Sequence, residues 1–334
     1  MPAKYKHKEA AMKPTWLLGA LLAACSTLAI ASEAKSYPAK PVKLILPFPT
    51  GATFVVGQML AERLTQELGQ PVVVENKSGA GGRIAMEHVA KSQPDGYTLL
   101  LTSPTLTITP AINQSLRFDP LADLAPVAMV AEVPNVFVVN PQKFGQDDFS
   151  ALRARLTAHP GRFSYGSGGA GSSNHLAFEK FKALTGTDIL HVPYQGASQA
   201  VTSAVGGQID MVINGLPSSV PLIKGQQLKA MFVLTRERQP LLPDTPSAVE
   251  VGLPGMVVTT WYGVLAPQGT PSPIVDKIAA AIKRGFSAAE VRKRLADNGI
   301  EVVYANPRDF SNFIKQDYTA WKKVVSDAAI SVQN

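Results

Sequence analysis

Residues 42–60 read Val42-Lys43-Leu44-Ile45-Leu46-Pro47-Phe48-Pro49-Thr50-Gly51-Ala52-Thr53-Phe54-Val55-Val56-Gly57-Gln58-Met59-Leu60. The run Val42–Leu46 is short, rich in β-formers and closed by Pro47. From Val56 the apolar residues Val56, Leu60, Leu64 and Leu68 recur at helical spacing, and Gly69 ends them as a C-cap does. Val72-Val73-Val74 reads as a buried strand, followed by the turn Ser78-Gly79-Ala80-Gly81-Gly82 and a helix from about Ile84 to Lys91. Pro94-Asp95-Gly96 introduces a further strand, Tyr97 to Leu101. Strands alternating with helices imply a parallel, doubly wound sheet.

Beyond this set, Val133-Pro134-Asn135-Val136-Phe137-Val138-Val139-Asn140-Pro141 is extended, apolar and bounded by prolines, the pattern of a chain leaving one lobe. A second β/α set follows: Phe163-Ser164-Tyr165, a helix from about Asn174 to Leu184, Ile189 to Val192, a helix near Gln199 to Val205, and Ile209 to Ile213. Trp261 to Pro267 is a second extended crossing. Helical patterns at Ile274 to Phe286, Val291 to Asn298 and Phe310 to Asp327 then dominate. Two crossings and a helical tail describe two lobes with a cleft between them.

The composition agrees. In 334 residues, 46% hydrophobic and 17% charged, there is enough apolar surface for a packed core. At about 150 residues per domain that length suggests two domains. The one cysteine, Cys25, excludes a disulfide framework and any Cys-ligated metal. Lys4, Lys6, Lys8 and Lys13 precede the apolar run Trp16–Ala31, which ends Ala29-Ile30-Ala31, so residues 1–31 read as a secretory signal peptide. The run is too short and too interrupted by small polar residues for a membrane anchor. Leu22-Ala23-Ala24-Cys25 competes as a lipobox with Cys25 acylated. Cleavage after Ala31 is preferred because the apolar run continues past Cys25. Either reading exports the protein. Removing residues 1–31 takes away four Lys and Glu9, leaving 28 basic against 24 acidic residues, or +4. No basic run interleaved with aromatics remains, which gives nucleic-acid binding no support.

Two loops carry the candidate chemistry. Pro47–Thr53 lies where open α/β sheets bind ligands, beyond the carboxyl end of a strand, and its Gly exposes N–H groups at a helix start. Taken alone it reads first as a tight turn in which Thr53 caps the helix. Gly166-Ser167-Gly168-Gly169-Ala170-Gly171-Ser172-Ser173-Asn174-His175 contains the G-x-G-x-x-G spacing. However, Tyr194-Gln195 stands where a dinucleotide fold wants an acid. The loop therefore suits a small anion better than NAD, and a plain flexible hinge is its alternative. At the helix start His175 reads as an exposed or capping residue that could bond a carboxylate. His191 reads as packed in its strand. Trp261 and Tyr262 read either as cleft-lining or as core aromatics. The four histidines beyond residue 31, at 88, 159, 175 and 191, show no ligand spacing, and His175 replaces the Gly of a G-x-S-x-G elbow. No catalytic group, metal or cofactor is expected.

Taken together, Tyr37-Pro38-x-Lys40-Pro41-Val42, Pro47-Phe48-Pro49-x-Gly51, Gly69-Gln70-Pro71-Val72-Val73-Val74-Glu75-Asn76, Gly79-Ala80-Gly81-Gly82, Pro94-Asp95-Gly96-Tyr97-Thr98-Leu99-Leu100, His191-Val192-Pro193-Tyr194 and Trp261-Tyr262-Gly263 resemble the Bug (TctC) family of periplasmic solute receptors. The likeness runs from Tyr37 to Ala329. It implies an α/β, two-lobed type II periplasmic-binding-protein fold with two crossover strands and a ligand cleft between the lobes. The lobes would be residues 37–138 plus 260–334, and residues 139–259. It further implies a monomer that captures a small organic carboxylate and delivers it to the large and small permease subunits of a tripartite tricarboxylate-type transporter. Carried over by position, the ligand-binding residues are Phe48, Thr50, Gly51, Ala52, Thr53 and Phe54 in the first loop. Ser103 and Thr105 follow the third strand. The second lobe contributes Ser167, Gly168, Gly169, Ser172, Ser173, His175 and Asn214. This chain departs from the family with Ala52 at the second Gly, Val55 at the usual Asp, and Arg83 where Asn is common. A less polar first loop without its acid suggests a bulkier or more apolar carboxylate. The rival readings are a solute sensor for a membrane signalling kinase and an exported NAD-binding enzyme.

Overall fold

A computed structural model describes residues 37–112 and 116–327; the signal-peptide and Cys25 readings lie outside them. In chain order, β1 (Val42–Leu46), α1 (Gly51–Leu68), β2 (Val72–Asn76), α2 (Arg83–Ala90), β3 (Thr98–Thr102) and α3 (Thr105–Ile112) lead into the 16-residue β4 (Leu124–Val139). Then come α4 (Pro141–Phe144), α5 (Phe149–Ala158), β5 (Ser164–Ser167), α6 (Ser173–Thr185), β6 (Leu190–Pro193), α7 (Ala197–Val205), β7 (Met211–Gly215), α8 (Leu216–Lys224) and β8 (Lys229–Val233). β9 (Thr259–Pro267), α9 (Ser272–Ser287), α10 (Ala289–Ala296), β10 (Glu301–Ala305) and α11 (Pro307–Asp327) complete the chain.

Two sheets share β4. In the first, β2, β1 and β3 run parallel, then β9 and β4 lie antiparallel, with β10 on the far side of β4. In the second, β6, β5 and β7 run parallel, and β4 pairs antiparallel with both β7 and β8. The expected parallel sets stand as β2–β1–β3 and β6–β5–β7, and the crossing strands β4 and β9 add antiparallel pairs, because a strand that crosses between lobes does not follow the βαβ connection that keeps its neighbours parallel. The exchange of partners is abrupt. Pro134 is the last β4 residue opposite β9, and Asn135 the first opposite β7. Pro134 has no N–H to donate, and the Asn135 side chain secures the break by donating to Val258 O at 2.9 Å.

The cores follow from strand patterning. In β3, Leu99, Leu100 and Leu101 are all fully buried, as a central strand covered on both faces requires. Leu99 and Leu101 join α1 and α9, while Leu100 joins α2 and the first half of α11. The second sheet is covered by α5 and α6 on one face and by α7 and α8 on the other. β2 is an edge strand rather than the wholly buried one the Val-Val-Val run suggests, with Val73 48% exposed. α11 serves both lobes: Phe310 and Ile314 lie in the core of the first sheet, Trp321 in that of the second. Among the described residues no helix is long and apolar enough to cross a membrane.

Candidate functional site

The parallel strands of each sheet all end on one edge, and each ends in a loop that starts a helix. In the first lobe, β1 passes through Pro47–Thr50 into α1, β2 through Gly79–Gly82 into α2, and β3 through Ser103 and Pro104 into α3. These three turns meet at Gly82. A Cβ there would lie 3.2 Å from Pro47 Cβ, 3.5 Å from Thr105 Oγ1 and 3.8 Å from the Phe48 ring, and its φ of +94° is one that side chains avoid. Gly82 therefore lets the Phe48 ring and the Thr105 hydroxyl share one small space. Ser103 Oγ lies 3.3 Å from Thr105 Oγ1, which joins the third loop to the other two.

α1 begins earlier than the Val56 periodicity shows. Its N-cap is Thr50, with no side-chain bond to the first turn, and that turn holds no acidic residue. The reading of Thr53 as the cap is corrected. Thr53 is buried in the first turn, and its hydroxyl faces the Tyr262 phenol on β9, whose pKa burial pushes up to about 12. Trp261 and Tyr262 are both core residues, 1% and 5% exposed. Phe54 and Val55 are half-buried and pack against the core of the first sheet. Arg83 opens α2, on which the Lys91 hydrogen bond and charge, with smaller contributions from Arg117 and Arg83, hold Glu87 below the usual carboxylate range.

The second lobe repeats the plan. β5 leads through Gly168–Ser172 into α6, β6 through Tyr194–Gly196 into α7, and β7 directly into α8 at Gly215. Gly168 sits against the next turn: a Cβ on it would be 3.0 Å from Ala197 N, the first backbone amide of α7. Tyr194 N donates to Ser167 O at 3.1 Å, and Asn174 Nδ2 donates to Ile213 O at 2.6 Å, drawing the three strand ends together. α7 and α8 carry no side-chain cap at Gly196 and Gly215, whereas Ser172 caps α6 by accepting from His175 N. Uncapped helix starts leave N–H groups open, and the helix dipole adds a positive field.

Several candidate side chains brace these loops. Ser167 is 1% exposed and its Oγ meets Gly169 N, Gly169 O and His191 Nε2. Contrary to its reading as an exposed or capping residue, His175 is 7% exposed, and its Nδ1 accepts from Gly171 N at 3.1 Å. Asn214 is buried and donates to Ser218 Oγ and Ser219 Oγ. Gly168, Gly169, Ser172 and Ser173 are half-buried on the rim, and so are Ala52 and Phe48; Thr50 and Gly51 are exposed. The reading of the residues did not single out Tyr194–Ala197. The rule that ligands gather beyond parallel-strand carboxyl ends applies equally after Pro193 and would have found it. Among the described residues no group of three His, Cys, Asp or Glu could hold a metal ion.

Comparison with known proteins gives this geometry its context. Residues 56–330 match the family model described as tripartite tricarboxylate transporter family receptor. Protein BugT of Bordetella pertussis is 36% identical over 327 residues, covering 96% of this chain and all of that one. A solved structure described as a periplasmic transporter is 40% identical with a TM-score of 0.81, over 89% of this chain and 100% of that chain. R. palustris Rpa4515, solved with adipate, is 31% identical with a TM-score of 0.81, over 88% and 99%. With two lobes built around opposed strand-end loops, and with likeness over nearly its whole length to receptors rather than enzymes, the chain belongs to the tripartite tricarboxylate transporter receptor family.

Proposed function

We propose that this chain is a periplasmic receptor that closes its two lobes on one small organic carboxylate and presents it to the large and small permease subunits of a tripartite tricarboxylate-type transporter. The observation that carries the reading is the set of open helix starts. α1 at Thr50, α7 at Gly196 and α8 at Gly215 have no side-chain cap, and they sit at the strand ends of both lobes. Backbone N–H groups at such ends bind carboxylate oxygens, and two lobes each offering them favour the closed state when an anion bridges them. The adipate in the related R. palustris structure is a ligand of this chemical kind.

In this reading the lobes are residues 37–138 plus 260–334, and residues 139–259. The change of strand partners beside Pro134 and the separate cores on either side support the division. The site comprises the Phe48–Phe54 loop, Ser103, Thr105, the Ser167–His175 segment and Asn214. Ser167 and His175 act by holding backbone amides in place, and Asn214 by holding the Ser218 and Ser219 hydroxyls. The Phe48 ring beside Gly82 and the lack of an acid in the first turn of α1 favour a carboxylate with apolar or aromatic bulk over citrate. Export follows the N-terminal segment cleaved after Ala31, and the receptor acts as a monomer.

A thermal-shift and calorimetric screen with adipate, benzoate, malate, citrate and NAD tests this. An acid at 100 times its Kd adds ~2.7 kcal/mol of stability. Stabilisation by adipate or benzoate above citrate is the expected result. Binding of citrate far better than either would remove the apolar preference, and a shift with NAD alone would overturn the receptor reading.

A further inference from the structure

Behind the glycine-rich loop of the second lobe, two histidines lie face to face. His175 is the third residue of α6 and His191 sits on β6; their ring centroids are 4.1 Å apart, with 25° between the planes. Tyr165 on β5 stacks against His191 at 4.9 Å and against His175 at 6.4 Å. Each imidazole holds the loop by a different atom. His175 Nδ1 accepts the Gly171 N–H at 3.1 Å, so this ring is the neutral tautomer with its hydrogen on Nε2. His191 Nε2 meets Ser167 Oγ at 2.7 Å, and the same Oγ accepts the Gly169 N–H at 3.1 Å. The direction of the loop amides thus depends on two stacked rings and one hydroxyl.

The charged and titratable groups facing the pair are few. On α6, Glu179 and Lys182 pair with each other at 3.0 Å, and on β5 the Tyr165 hydroxyl donates to Glu179 Oε1 at 2.6 Å. Glu179 is therefore engaged twice, while its charge still draws protons towards the rings and that of Lys182 opposes them. Burial decides the balance. It holds His175 below the usual imidazole range, and burial followed by the neighbouring His175 pushes His191 down to about 4. The positive end of α6 acts in the same direction on His175.

We propose that the His175–His191 stack is a positioning device for the anion loop at residues 168–172, and that charging His175 releases the Gly171 amide and weakens carboxylate binding. A proton on His175 Nδ1 would point an N–H at the Gly171 N–H, so the bond is replaced by repulsion. The inference rests on the carboxylate reading for its ligand, but the loop itself can be observed without one.

The test follows the Gly169 and Gly171 amides and the histidine ring nitrogens of the isotope-labelled protein by NMR between pH 7.5 and 4.5. At pH 7.5 the His175 ring should show the Nε2–H tautomer, and the Gly171 amide should shift as the rings take up protons. His175→Asn places Oδ1 near the former Nδ1 and does not titrate, so its Gly171 resonance should stay near the native one and follow only His191. His175→Phe should lose that resonance position at every pH, and its Kd for adipate should rise about tenfold, the worth of one hydrogen bond to the loop. Should His175→Phe not fold, the native titration and the Asn variant decide the matter. A Gly171 amide that ignores both pH and the variants overturns the proposal, as does an unchanged adipate Kd in His175→Phe. A native protein that binds none of adipate, benzoate and malate at pH 7.5 overturns the carboxylate reading, and with it the affinity half of the proposal; the amide resonances then decide the positioning half.

Discussion

Trp261 Nε1 donates to Asp317 Oδ2 at 3.0 Å, which ties the crossing strand β9 to the last helix, α11. The same oxygen accepts from Thr107 Oγ1 on α3 at 2.6 Å. Lys180, on α6 of the second lobe, supplies a stabilising charge, and burial is the chief cause that raises the Asp317 carboxyl above its ordinary pKa. The Trp321 indole also faces this carboxylate, although its Nε1 makes no hydrogen bond of ordinary geometry. One carboxylate thus joins the crossing strand, two helices and a charge from the other lobe. Lobe movement has to work around this knot.

Removing the acceptor should be costly. Asp317→Ala leaves the Trp261 indole N–H buried without a partner, which costs about 1–3 kcal/mol, while the Thr107 hydroxyl keeps Pro104 O as acceptor at 2.9 Å. Urea unfolding should show a loss of about 1–3 kcal/mol, whereas Asp317→Asn, which keeps an acceptor oxygen, should stay within about 1 kcal/mol of the native protein. Equal losses in the two variants would mean that the charge matters more than the hydrogen bonds.

Gly82→Ala puts a Cβ 3.2 Å from Pro47 and forces a side-chain-bearing residue to φ +94°. Strain of that kind costs about 1–3 kcal/mol. Because the displaced neighbours are Pro47, Thr105 and Phe48, adipate binding followed by calorimetry should weaken more than stability does. The control Gly186→Ala carries similar strain, at φ +66° and with nothing within 4 Å, but lies at the far end of α6. It should lower stability alone.

Tyr262→Phe removes the hydroxyl that faces the buried Thr53 side chain while keeping the ring in the core. The expected cost is about 1 kcal/mol, from one lost hydroxyl contact. Thr53→Val should cost a similar amount. The double variant should cost less than the sum of the two, since the interaction is lost only once. A double-mutant cycle by denaturant titration measures this directly.

Acid should destabilise the native state through the histidine stack. His191 lies at about 4 in the folded protein against 6.5 for an unperturbed imidazole, and His175 is shifted the same way. Between those values the unfolded chain binds more protons than the native one, so this contribution is complete above pH 6.5 and declines as pH falls towards 4. Tm measured from pH 7.5 to 4.5 should fall, and the fall should shrink in His175→Asn/His191→Gln. An unaltered slope in that variant would assign the acid sensitivity to carboxylates such as Glu75, which its Lys43 hydrogen bond holds below the usual range.

Much of this is legible in the residues. Val42–Leu46 followed by the Val56, Leu60, Leu64 spacing yields a strand and a helix because each pattern has its own period, and the runs around Val136 and Val264 are apolar enough to mark crossing strands. α3 and α8 are not legible in this way. Each carries a proline at its sixth residue, Pro110 and Pro221, and local propensity there argues against a helix that packing nonetheless stabilises. Gly-rich turns at strand ends likewise announce a loop, but not which side chains will face a ligand.

Local order and the two-lobed plan therefore follow from the chain itself, since periodicity and turn chemistry act over a few neighbouring residues. The meeting of Gly82 with Phe48 and Thr105, the burial of Thr53 against Tyr262, the stacking of His175 on His191 and the junction at Asp317 could not be read there. In each, residues from different elements come into contact. Whether a hydroxyl caps a helix or faces a phenol 209 positions away, as Thr53 does with Tyr262, depends on which surfaces are excluded from water once the sheets close.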